Sequence, residues 1–127
     1  MIERINYECL PTIVGPYVHA SKYNNTLFVS GLTAYGTDAQ QLDLMQQCEE
    51  VLSQINRILE QEKRSKSDLI KLTIFMRNIS LLPSVREQLF KFYEGYLPAC
   101  SLVEVSNLIH PDLQIEIEVI VALKTGI

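Results

Sequence analysis

With 127 residues, 47% of them hydrophobic and 20% charged, the chain has the length of one domain and the composition of an ordinary globular protein. Eleven basic against fifteen acidic side chains leave a net charge of −4 and a pI near 5.1, which gives no long-range attraction to a polyanion and argues against a nucleic-acid partner. Apolar runs such as Val119 to Leu123 fall short of a membrane span, and three scattered cysteines without a Cys-x-x-Cys pair argue against a disulfide framework or a structural zinc site.

The opening Met1-Ile2-Glu3-Arg4 carries mixed charge in place of the basic-then-apolar pattern of a secretory signal, so the expected location is a reducing cytoplasm. A first strand is expected over Ile2 to Tyr7. Asn24-Asn25, between Lys22-Tyr23 and Thr26-Leu27, reads as a tight hairpin turn because Asn tolerates left-handed backbone angles, and Thr26 to Ser30 continues as a strand. The clearest helix follows. Leu44, Cys48, Val51, Leu52, Ile55, Ile58 and Leu59 recur at steps of three and four, which leaves Gln46, Gln47, Glu50, Gln54 and Arg57 for the polar face, with Thr37 or Asp38 as the cap. Lys63-Arg64-Ser65-Lys66, after Glu60-Gln61-Glu62, reads as a solvated helix end.

Leu69 to Met76 is the next strand. A second helix is expected from Pro83, suited to a first turn, to Tyr96, with Val85, Leu89, Phe92, Tyr93 and Tyr96 on its apolar side and Gly95 and Pro98 stopping it. Two further strands, Ser101 to Val105 and Gln114 to Leu123, complete the series.

This order predicts a single α+β domain over residues 1–127, with both helices packed on one face of a mixed sheet. In the last strand Ile115, Ile117, Val119, Val121 and Leu123 point one way, and Glu116, Glu118, Ile120 and Ala122 the other. The sheet face away from the helices is therefore partly apolar, a surface that oligomers commonly cover.

Gly15-Pro16-Tyr17-Val18-His19-Ala20, Leu27-Phe28-Val29-Ser30-Gly31, the long helix, Asp68 to Phe75, Pro98 to Val105 and Ile115-Glu116-Ile117-Glu118 stand in an order and spacing that resemble the Rid/YjgF family of small enamine and imine deaminases over nearly the whole chain. The resemblance implies a chorismate-mutase-like fold with a mixed six-stranded sheet and two helices on one face. It also implies a homotrimer whose sheets line a central barrel and whose pockets, between subunits, hold a small carboxylate or other anionic metabolite without a metal or cofactor. The family reaction hydrolyses a 2-imino acid such as 2-iminopropanoate or 2-iminobutanoate to the 2-keto acid and ammonia.

Carried over residue by residue, Glu116 is the water-orienting catalytic base, while Tyr17, Ser30 and Gly31 bind substrate. The arginine that anchors the substrate carboxylate is replaced by Cys100, the one departure in Leu97-Pro98-Ala99-Cys100-Ser101. Losing one partner of a desolvated charge pair costs roughly 2–5 kcal/mol. Arg86, on the first turns of the second helix, is the candidate substitute cation; the plainer alternative is a surface pair with Glu87 or Glu50.

Plain alternatives stand beside the other assignments too. Glu116 can be an exposed strand carboxylate, Tyr17 a packing residue at a turn, and Ser30 a partner for backbone groups at a strand end. Glu104 reads as a structural strand carboxylate, His110 as a loop residue, and His19, facing the same side as Tyr17 by strand alternation, as a residue at the pocket margin. Cys100 reads as a small packing residue in preference to a nucleophile, because no histidine or helix N-terminus adjoins it in sequence. Two functional classes remain open, an imine deaminase-like hydrolase and a non-catalytic ligand-binding or regulatory relative. A ribonuclease or translation inhibitor fits the acidic charge less well. The discriminating observation is whether an Arg or Lys enters the pocket.

Overall fold

Strand alternation and helix periodicity converge on one sheet. The computed structural model describes residues 1–124, and in it β1 (Glu3–Ile5), β2 (Ala20–Tyr23), β3 (Thr26–Leu32), α1 (Leu44–Gln61), β4 (Leu69–Met76), α2 (Leu82–Tyr93), β5 (Ala99–Glu104) and β6 (Ile115–Ala122) follow in chain order. The six strands form a single sheet in the order β1-β2-β3-β6-β4-β5. Every neighbouring pair is antiparallel except β4 and β5, which are parallel because α2 carries the chain back between them. The mixed α+β architecture expected from the sequence is thus present.

Ile115, Ile117, Val119 and Val121 of β6 pack beneath the helices with Leu72, Ile74 and Met76 of β4, against Val51, Ile55 and Ile58 of α1. The opposite face is the partly apolar one: Phe28 and Val103 keep 44% and 45% of their surface exposed. None of the helices is long and apolar enough to cross a membrane among the described residues.

Several boundaries differ from expectation, each for a local reason. The first strand is short because its continuation is diverted: Asn6 Oδ1 accepts the His19 N–H at 3.0 Å, and the Tyr7 N–H donates to His19 Nδ1 at 2.8 Å. Asp43, not Thr37 or Asp38, caps α1, its Oδ1 accepting the Gln46 N–H at 2.9 Å, while Thr37 Oγ1 donates to the Ala34 carbonyl in the preceding turn. Helix α2 ends at Tyr93, short of Tyr96, because Glu94 and Gly95 turn left-handed at φ 52° and 92°. Lys66 is not simply solvated: its ammonium lies 4.4 Å from the Phe92 ring centroid and 3.5 Å from Glu94.

The largest correction concerns α1. Gln47 and Gln54, expected on its polar face, are buried. Gln47 Nε2 donates to the carbonyls of Gln40, Leu42 and Asp112, and its Oε1 accepts the Gln114 N–H at 2.8 Å. One amide thereby satisfies the backbone of the two loops that enter α1 and β6, which is how a polar side chain is accommodated in an interior.

Candidate functional site

The site begins at an irregularity in the β3–β6 pairing. Val29 pairs with Val119 and Leu32 with Ile117, so Ser30 and Gly31 lie in a bulge opposite the single residue Glu118. A β-carbon on Gly31 would collide with the Glu116 carboxylate, so the glycine is what allows that carboxylate to lie across β3. Glu116 is half-buried, and burial pushes its carboxyl above its ordinary value, with the neighbouring Glu118 charge adding to the effect.

Around this carboxylate opens a cleft of about 410 Å³, lined among others by Tyr17, Ser30, Gly31, Thr33 and Tyr35. Among the described residues, no Arg or Lys lines it. Tyr17 is 44% exposed, which sets aside a purely packing role, although its own ring shields Gly15. The Ser30 hydroxyl donates to the Val18 carbonyl at 2.6 Å, so it does satisfy a backbone group, and toward the cleft its oxygen can act only as an acceptor.

The segment that carries Tyr17 is held from beneath. Arg57 Nη1 donates to the Cys9 carbonyl at 2.8 Å, and its Nη2 meets Glu50 at 2.9 Å. Gln54 Nε2 joins the same Glu50 oxygen to the Thr33 carbonyl, so α1, the Cys9 loop and the wall of the cleft form one network. His19 borders the cleft, but Nδ1 accepts from Tyr7 N–H and Nε2 donates to the Pro11 carbonyl at 2.8 Å, which leaves no nitrogen for a ligand. His110 sits in a loop, its Nδ1 accepting the Asp112 N–H. Glu104 is structural: its Oε2 accepts the Ile79 N–H at 2.9 Å, at the turn leading into α2.

Cys100 and Arg86 lie elsewhere. Cys100 pairs with Leu72 and so faces the helix side of the sheet, whereas Glu116 pairs with Phe75 on the opposite face. Cys100 and Arg86 line a second cavity of about 430 Å³, between α2 and β5. The surface pairs expected for Arg86 are taken: Glu87 lies 3.6 Å from Lys91, and Glu50 holds Arg57. The guanidinium makes no ion pair or side-chain hydrogen bond among the described residues. Cys100 is exposed, which departs from the packing role expected of it; partial desolvation still pushes its thiol up, with Lys71 opposing, which disfavours the thiolate, and all three cysteines are free.

The model of the family described as Endoribonuclease L-PSP matches residues 9–123. A RutC family protein of Buchnera aphidicola is 35% identical over 123 residues, covering 94% of this chain and 96% of the relative. The crystal structure of the Rid-family protein YyfA from Yersinia pestis superposes with a TM-score of 0.86 at 32% identity, covering 96% of this chain and 99% of that one. The chain belongs to the Rid/YjgF family. A further relative, from the mite Dermatophagoides farinae, is named 2-iminobutanoate/2-iminopropanoate deaminase and is 26% identical over 90% of this chain and 91% of its own.

For this Rid/YjgF chain, sequence reasoning assembled Tyr17, Ser30, Gly31 and Glu116, which the structure brings to one cleft. It missed Thr33, Tyr35 and Gln54, which border the same cleft. The only signal for Gln54 was its place at the edge of the α1 apolar stripe.

Proposed function

We propose that this Rid/YjgF chain works as a homotrimer that hydrolyses small 2-imino acids in pockets shared between subunits, with the Glu116 cleft of one copy closed by the Arg86 and Cys100 surface of the next. The carrying observation is the division just described: one chain places the candidate residues on opposite faces of its sheet, so a second copy is needed to bring them together. The partly apolar open face and the deaminase name of the mite relative support the same reading.

In this pocket Glu116 takes a proton from water as the water oxygen attacks the imine carbon and passes it to the nitrogen, giving a carbinolamine; it then carries the hydroxyl proton to the nitrogen as the C–N bond breaks and the carbonyl forms. Water and imine yield ketone and ammonia. Burial raises the proton affinity of this carboxyl above its ordinary value, which makes it a better acceptor of that proton. The Ser30 oxygen accepts from the imine N–H, and the Tyr17 hydroxyl donates to the developing charge. Arg86, which has no ion-pair partner among the described residues, binds the substrate carboxylate in place of the arginine that Cys100 replaces. The cleft lacks the basic lining expected for RNA, which supports a metabolite over a nucleic-acid substrate.

A second reading, ligand binding without turnover, draws on the neutral Cys100. Steady-state hydrolysis of 2-iminopropanoate by the wild type, Arg86→Ala and Cys100→Arg separates the two. If Arg86 is the anchor, Arg86→Ala lowers kcat/KM by about 30-fold or more. An inactive wild type, unchanged by Arg86→Ala and rescued about tenfold by Cys100→Arg, would show that the natural chain lacks an anchor and favour the non-catalytic reading.

A further inference from the structure

His19 ties together three parts of the chain at the margin of the Glu116 cleft. Its main chain is fixed on both sides: the N–H donates to Asn6 Oδ1 at 3.0 Å, and the carbonyl accepts the Ser30 N–H at 2.9 Å. Its buried ring reaches back along the chain, Nδ1 accepting the Tyr7 N–H and Nε2–H donating to the Pro11 carbonyl, each at 2.8 Å. The ring tautomer that carries its proton on Nε2 meets both demands at once, because a backbone N–H only donates and a carbonyl only accepts. The ring therefore closes the loop that runs from Tyr7 to His19.

That loop supplies one wall of the cleft. Pro11, Thr12, Ile13, Val14 and Tyr17 all line the space that holds the Glu116 carboxylate. Among the described residues, the only hydrogen bond made from Thr12 to Tyr17 is internal, from the Tyr17 N–H to the Gly15 carbonyl at 2.9 Å. The wall thus hangs between two fixed points, the Pro11 carbonyl held by His19 Nε2 and the Val18 carbonyl held by the Ser30 hydroxyl at 2.6 Å. The first of these rests on a firm base. Tyr7 stacks on the His19 ring with centroids 6.1 Å apart, and its hydroxyl donates at 2.7 Å to Glu62, the residue that follows α1. The other Glu62 oxygen meets Lys22 of β2 at 2.7 Å, so the ring is anchored to helix and sheet together.

We infer that His19 is a positioning residue for the proposed reaction: its Nε2 bond to Pro11 sets where the wall stands and so holds Tyr17 at the cleft, while its Nδ1 bond to Tyr7 secures the ring. Both ring nitrogens are engaged, so His19 acts on substrate only through the wall. The inference rests on the proposed function for the chemistry that reads it out. It makes activity depend on the reach of the side chain at position 19, which a role in packing alone does not.

Two amide variants of the full chain separate positioning from packing. His19→Gln can offer an acceptor to the Tyr7 N–H and a donor to the Pro11 carbonyl, whereas His19→Asn, one methylene shorter, keeps the acceptor and falls short of Pro11. Both should fold, as circular-dichroism melts will show. On 2-iminopropanoate, His19→Asn should lower kcat/KM by about 30-fold or more, the scale of a small misplacement of a reacting group, and His19→Gln should stay within about threefold of wild type. Tyr17→Phe should cost less than about threefold in the His19→Asn background, because the hydroxyl it removes is already out of place. Wild-type rates in His19→Asn, equal losses in the two amides, or Tyr17→Phe and His19→Asn losses that simply multiply would overturn the inference. So would a His19→Asn chain that does not fold, since the ring would then be a requirement of the core. Titration with pyruvate, followed by NMR, should give the same order of affinities without requiring turnover. An inactive wild type that binds pyruvate as tightly as His19→Gln and more tightly than His19→Asn would overturn the deaminase alone, whereas hydrolysis indifferent to His19→Asn would overturn the positioning role alone.

Discussion

Gly31 and Glu116 approach so closely across β3 and β6 that the glycine's missing β-carbon is the space in which the carboxylate lies. The contact joins a backbone feature to the proposed proton-transfer group. Gly31→Ala should therefore fold, because the bulge lies at the sheet surface, but displace the carboxylate and lower kcat/KM by about 100-fold, the scale expected for a shift near 1 Å in a reacting group. Kinetics beside a circular-dichroism melt would check this, and an unchanged rate would remove the positional role of the glycine.

The raised proton affinity of Glu116 has a thermodynamic counterpart. In the folded chain the carboxyl holds its proton to a higher pH than in the unfolded chain, so its ionisation opposes folding above the folded-state value, and that penalty fades as pH falls toward the unfolded value. Glu116→Gln should accordingly raise Tm at pH 7 by roughly a few degrees, the advantage shrinking toward pH 4. The same variant should lose imine hydrolysis by about 100-fold or more. Differential scanning calorimetry across pH checks the first part, and a lower Tm at pH 7 would contradict it.

Gln47 is expected to matter for stability well away from the cleft. Gln47→Leu keeps the volume but leaves the carbonyls of Gln40, Leu42 and Asp112 and the Gln114 N–H short of a partner. A loss of about 2–4 kcal/mol in urea unfolding is expected, because orphaned buried groups carry their full desolvation cost. A change below about 1 kcal/mol would mean that water replaces the amide.

Assembly is directly measurable. Sedimentation equilibrium at micromolar concentration should return three times the 14.5 kDa chain mass. Ile120→Lys, which sets a charge on the open face of β6, should shift the chain toward monomer and abolish hydrolysis with it. A monomeric wild type would remove the shared pocket.

Features that depend on neighbours along the chain could be read from the residues alone. Alternation along Ile115 to Ala122 and the three-and-four spacing from Leu44 to Leu59 specify a strand and a helix, because backbone geometry alone sets which side chains share a face. The motif residues Tyr17, Ser30, Gly31 and Glu116 were legible for a related reason, since their order and spacing could be matched as a pattern. Which polar side chains are interior, and which cations lack an ion-pair partner among the described residues, follows from contacts between distant segments. Gln47 and Gln54 are buried because distant loops bring carbonyls to them, and Arg86 makes no ion pair among the described residues, where Lys91 and Arg57 hold its expected partners. Cys100 and Glu116 lie on opposite faces of the sheet through the register of β5 and β6 on β4, a pairing between segments far apart in the chain that no local periodicity encodes.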